Sequence, residues 1–118
     1  MLEVEYGNDY LVFYIHGESA IFSATPSLNE WTHVCVTWQS LTGETLLYFN
    51  GTRAGRRTQL LKGLILGRNG YFILGQDQDG YNKGFQPDEG MRGRITQFHF
   101  WNKVLSKNEG KVITTRDV

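Results

Sequence analysis

The densest chemistry in the chain is a polar stretch from Gln76 to Gly90 that holds Asp77-Gln78-Asp79, then Gln86, Asp88 and Glu89. Hard cations such as Ca²⁺ take about 6–8 oxygen ligands from carboxylates, amide oxygens and backbone carbonyls. This stretch offers all three kinds, and a bound cation would relieve the repulsion among its acids. It is not an EF-hand: counted from Asp77, the sixth position is Asn82 where that loop needs glycine, and the twelfth is Asp88. A solvated acidic loop is the plain alternative. Paired carboxylates also serve glycoside hydrolysis, and Asp77 and Asp79 would share one strand face, but a chain this small leaves little room for a substrate cleft.

Other constellations carry less. His16, His33 and His99 fall on separate segments without close ligand spacing, and Cys35 is the single cysteine, so zinc has no motif behind it. Neither a G-x-S-x-G elbow nor a phosphate-cradling glycine loop is present. Arg53, Arg56 and Arg57 make a short basic run that reads as a charged strand edge, which discourages edge pairing; an anionic polysaccharide is the sharper alternative. Asn50-Gly51-Thr52 fits the N-glycosylation sequon at an expected hairpin tip. Cys35 has no partner within the chain, which leaves a buried small hydrophobe, a reactive thiol, or half of a broken pair.

The elements that must position these residues are strands. Fourteen glycines, only two prolines and 14% aromatic residues in 118 positions indicate an all-β chain with many turns. Leu2, Val4 and Tyr6 alternate with Glu3 and Glu5 as a half-buried strand. Gly7-Asn8-Asp9 turns the chain into residues 10–15, His16-Gly17-Glu18 turns it again, and residues 19–24 form a third strand. Residues 31–39 alternate Trp31, His33, Cys35 and Thr37 against Val34, Val36 and Trp38. Residues 45–49 end in Asn50-Gly51, the strongest short hairpin signal, and 53–61 return from it. Further strands are expected at 64–67, 71–75 and 92–101, and Ser106-Lys107-Asn108-Glu109 fits a capping box that opens a short helix. About eight short strands indicate a two-sheet sandwich or jelly roll.

The length suits one domain over residues 1–118. Twelve basic and twelve acidic side chains exclude the strong positive field of a nucleic-acid binder. No run approaches the roughly 20 apolar residues of a membrane span, and no signal peptide opens the chain.

His33-Val34-Cys35-Val36-Thr37-Trp38 resembles the pentraxin signature, His-x-Cys-x-Ser/Thr-Trp. Tyr48-Phe49-Asn50-Gly51 is similar to that family's following strand and hairpin. Residues 73–79 resemble its calcium segment, and Gly93-Arg94-Ile95 through Trp101, Leu105-Ser106 and Glu109 resemble its last strand and helix. Laminin-G-like domains are the close structural alternative. The resemblance implies a two-sheet antiparallel jelly roll of concanavalin or laminin-G type with one short C-terminal helix. It implies that Asp77 and Asp79 give carboxylates to Ca²⁺, and Gln78 its backbone carbonyl. It also implies that Gln86 and Glu89 stand at positions where the family has an acid and an amide in the opposite order, with Asp88 an added candidate. The family's first ligand pair falls before Met1 in a gap-free alignment. A shifted register would put Asn8 there, with Gly7 in place of the acid. The expectation is therefore an incomplete, weak calcium site in a domain lacking its N-terminal third, with Cys35 as one half of a disulfide whose partner is absent.

The function implied is extracellular, calcium-dependent recognition of phosphorylated head groups, glycans or protein partners, without catalysis, nucleic acid or membrane insertion. The domain would be secreted or lie outside the cell in a membrane protein, with ring-like homo-oligomers in the full-length molecule. Its alternative is a calcium-independent protein–protein module of an adhesion protein or receptor ectodomain. A glycoside hydrolase of related sandwich fold ranks behind both.

Overall fold

The computed structural model describes residues 2–7, 9–27, 29–66, 94–106 and 108–109, with Tyr6 described in its backbone only. The chain forms two compact units, Met1–Ile65 with Trp101–Val118, and Leu66–Phe100.

Among the described residues, six strands lie in the first unit: β1 (Leu2–Tyr6), β2 (Leu11–Ile15), β3 (Glu18–Phe22), β4 (Val34–Gln39), β5 (Glu44–Phe49) and β6 (Thr52–Arg57). They form two antiparallel three-stranded sheets in the orders β1-β2-β3 and β4-β5-β6, so the described chain is all-β, as its composition implies. Every connection within a sheet is a hairpin between sequence neighbours. That is the least costly loop closure and suits short strands separated by glycine and asparagine.

Alternation fixes the faces. In the first sheet Leu11, Phe13 and Ile15 share a side with Ala20 and Phe22, by the register Phe13↔Ala20 and Leu11↔Phe22, and all five are buried. In the second, Val36, Leu47 and Gly55 stand opposite one another across β4, β5 and β6, and Leu47 is fully buried. The two faces meet where Phe22 lies over Gly55. A Cβ at Gly55 would collide with the Phe22 ring, so glycine here makes the notch that lets an aromatic side chain seat between the sheets. This is the interdigitation of a β sandwich.

Two hairpins turn through two-residue loops with both residues in the left-handed region: His16 and Gly17 at φ 45° and 80°, and Asn50 and Gly51 at 51° and 80°. Those pairs match the type I′ loop, whose twist agrees with the flanking strands. The β4–β5 turn is pinned from outside. Trp38 Nε1 donates to the Leu60 carbonyl at 2.8 Å, and the Leu60 amide donates to the Gly43 carbonyl at 2.9 Å. At the C-terminal end the expected capping box is present in both directions: Ser106 N donates to Glu109 Oε1 at 3.0 Å and Glu109 N donates to Ser106 Oγ at 3.2 Å. A turn of helix follows at residues 108–109.

Several strand boundaries differ from the alternation reading, and the backbone says why. The return strand stops at Arg57 instead of running to Leu61, because Gln59 and Leu61 take φ of 61° and 44°, which extended pairing does not allow. Residues 64–66 are not a strand; the Leu64 amide donates to the Leu61 carbonyl in a turn. Residues 94–101 are not a strand either, and Gln97 at φ 55° interrupts the extended backbone. The expected strand at 71–75 lies outside the described residues, as do 67 and 92–93.

Candidate functional site

The second sheet carries the signature residues. Cys35 lies in β4 opposite Tyr48 of β5 and is half-buried; burial pushes its thiol above the ordinary value, which keeps it protonated and slow to react at neutral pH. As the chain's single cysteine, it is free.

Where β4 begins and β5 ends, the backbone of His33, the residue just before β4, is held twice by Asn50, the residue just after β5. The Asn50 amide N donates to the His33 carbonyl at 2.9 Å, and the His33 amide N donates to the Asn50 side-chain Oδ1, also at 2.9 Å. The hairpin tip is therefore stapled to the start of the signature segment, 17 residues earlier. Reading the sequence as a turn plus a strand misses this contact, since an asparagine chosen for its left-handed φ looks the same whether or not its side chain has a distant partner.

The arginine run is split by a β-bulge. Tyr48 pairs with Arg53 and Leu47 with Gly55, which leaves Ala54 as the extra residue. The inserted position brings Arg53 and Arg56 onto one face, where simple alternation would oppose them. Arg56 pairs with Glu44 at 2.9 Å on an exposed surface, a contact of small energetic weight. Arg57 points the other way. Its guanidinium sits 5.2 Å from the centroid of Phe22 and Nη2 donates to the Ile21 carbonyl at 2.5 Å. It thereby covers a carbonyl on the edge strand β3, blunting that edge. Beside it an open groove of about 480 Å³ is lined by Glu18, Ser19, Ser23, Arg57 and Gln59 among others. Arg56 and Arg57 thus serve separate ends, one in an ion pair with Glu44 and one reaching from β6 to the Phe22 ring and the Ile21 carbonyl.

The oxygen donors Asp77, Gln78, Asp79, Gln86, Asp88 and Glu89, and the extra candidate Asn8, all lie outside the described residues. Among the described residues no group of three or more His, Cys, Asp or Glu side chains could hold a metal ion, so the three histidines do not assemble a zinc site there. No helix among them is long and apolar enough to cross a membrane.

The sequence matches the Pentaxin family over residues 2–117. It is 35% identical over 111 residues to C-reactive protein of Rattus norvegicus, covering 86% of this chain and 48% of that protein. It is 36% identical over 103 residues to Pentraxin-related protein PTX3 of Homo sapiens, covering 84% of this chain and 27% of that protein. The chain thus spans less than half the length of these relatives. Among solved structures, an S-layer domain-containing protein of Clostridium thermocellum superposes with a TM-score of 0.53 at 21% identity, over 89% of this chain and 50% of that one; this is a likeness of fold alone.

Proposed function

The chain belongs to the Pentaxin family, and from that premise we propose that it is an extracellular recognition domain that binds its ligand through Ca²⁺ held by residues 77–89. The observation that carries this reading is the extent of the family match, residues 2–117, which includes that stretch. The donor set agrees with it. Asp77, Asp79 and Glu89 supply carboxylates, Gln86 an amide oxygen and Gln78 a backbone carbonyl, with Asp88 and Asn8 as further oxygen donors. All are hard oxygen ligands, the class that suits Ca²⁺ over softer metals. A bound Ca²⁺ would supply open coordination positions for a phosphate or carboxylate oxygen of the ligand. The residues hold and orient; no bond is broken, and the ligand is a phosphorylated head group, a glycan or a protein.

A calcium-independent protein–protein module is the second reading, favoured by β1. Leu2 and Val4 share a side with the buried Ile15 and Phe13 of β2 yet are 37% and 47% exposed. Calcium titration by calorimetry, with melting in calcium and in chelator, separates the two. The first reading expects heat of binding and a higher melting temperature in calcium, both lost in Asp77→Ala/Asp79→Ala. Identical curves in calcium and chelator support the second.

A further inference from the structure

We propose that Asn50 is an N-glycosylation site, its glycan carried on the amide nitrogen at the tip of the β5–β6 hairpin; this rests on the extracellular placement proposed above. Asn50-Gly51-Thr52 has the acceptor pattern, with a residue other than proline in the middle. Asn50 and Thr52 are both exposed. The type I′ turn accounts for Asn50 and Gly51, but it places no demand on the hydroxyl of Thr52, which the acceptor pattern requires.

The side-chain geometry separates the two ends of the Asn50 amide. Oδ1 is occupied, accepting from the His33 amide at 2.9 Å, whereas Nδ2 has no acceptor among the described residues. Glycosylation uses the second end and leaves the first intact. Nδ2 attacks the anomeric carbon of a polyprenyl-diphosphate-linked oligosaccharide, forming the N–C bond as the carbon–oxygen bond to the diphosphate breaks. One amide proton leaves Nδ2, the polyprenyl diphosphate departs, and no oxidation state changes. The product retains Oδ1 as an acceptor, so a glycan and the staple to His33 coexist, with the sugar projecting from Asn50, which is exposed although Gly51 beside it is buried. No side chain at Gly51 stands between the amide and the Thr52 position.

The test is to export the full chain behind a cleavable leader through a eukaryotic secretory pathway and weigh the secreted protein. The expected result is a mass increased by an N-glycan. Enzymatic release of that glycan in heavy-oxygen water should label position 50 alone. Thr52→Ser should keep the glycan. Thr52→Val, which preserves the branched strand residue, and Asn50→Asp, which preserves the turn and the acceptor for His33, should each lose it. A secreted wild-type chain of unmodified mass overturns the proposal, as does a glycan that persists in both loss variants. Calcium titration of the same secreted sample reads the recognition proposal separately, so failure of one is not confused with failure of the other.

Discussion

The two sheets are built alike and loaded differently. The first, β1-β2-β3, presents Leu11, Phe13, Ile15 and Phe22 to the interior, all buried. The second, β4-β5-β6, answers this bulk with Leu47, the bare Gly55, and Thr45, whose side chain is fully buried with no partner for its hydroxyl among the described residues. Most of the buried apolar side chains come from the first sheet, while the second offers the Gly55 notch that seats Phe22 beside Leu47. The second sheet also carries the half-buried thiol, the hairpin tip bound to His33 and the arginine run. One sheet is specialised for burial, and the other combines burial with its chemistry.

That division can be broken most severely at Phe22. Phe22→Ala removes the side chain that fills the Gly55 notch, and is expected to cost about 3–5 kcal/mol, read as a fall in the denaturant midpoint at unchanged slope. The converse change, Gly55→Ala, overfills the same contact. The ring must shift or the sheets part, for a loss of about 1–3 kcal/mol. Equal stability of Gly55→Ala and the parent chain would show that the sheets do not interlock there. Thr45→Val sharpens the comparison in the opposite direction. It replaces an unpartnered buried hydroxyl with a methyl of the same shape and should stabilise by about 1 kcal/mol, seen as a higher melting temperature. A loss would mean that the hydroxyl has a role the second sheet needs.

The smallest effect lies outside both sheets. Hydrogen bonding to Lys103, and then to Ser106, lowers the Glu109 carboxyl to about 2. Because the folded value lies below the unfolded one, the contribution is complete above the ordinary carboxylate range, from about pH 5. It fades as pH falls toward 2. The carboxylate is exposed, so the effect is small and weakened by salt. Glu109→Gln should flatten the corresponding part of the stability–pH curve and leave the neutral-pH packing of the two sheets unchanged.

Much of the fold was legible in the residues because its rules are local. Alternation in residues 2–6 and 11–15 marks strands with a buried side. Asn50-Gly51 marks a turn that only left-handed residues enter without strain, and Ser106 with Glu109 marks a helix start whose two hydrogen bonds span three positions. The readings that went astray are those in which one residue changed backbone region without announcing it. Gln59, Leu61 and Gln97 have no side-chain preference that foretells a positive φ, and the strands drawn through or beyond them end short or are not formed. The candidate calcium residues, 77–89, were legible as chemistry from their concentration of oxygen donors, while their arrangement is a matter for metal titration and substitution.

The sequence by itself determined the strand-and-hairpin grammar, the family to which the chain belongs, and the oxygen-rich, thiol-poor character of its candidate ligands, because each of these depends on residue type and short spacing. Only the tertiary structure decided that Phe22 seats on Gly55, that Arg57 crosses to a carbonyl 36 residues away, and that Asn50 holds His33. A strand's period of two defines two faces without saying which one meets another sheet. Long-range partners are chosen by the shape and unmet hydrogen bonds of surfaces that exist only after the sheets have formed.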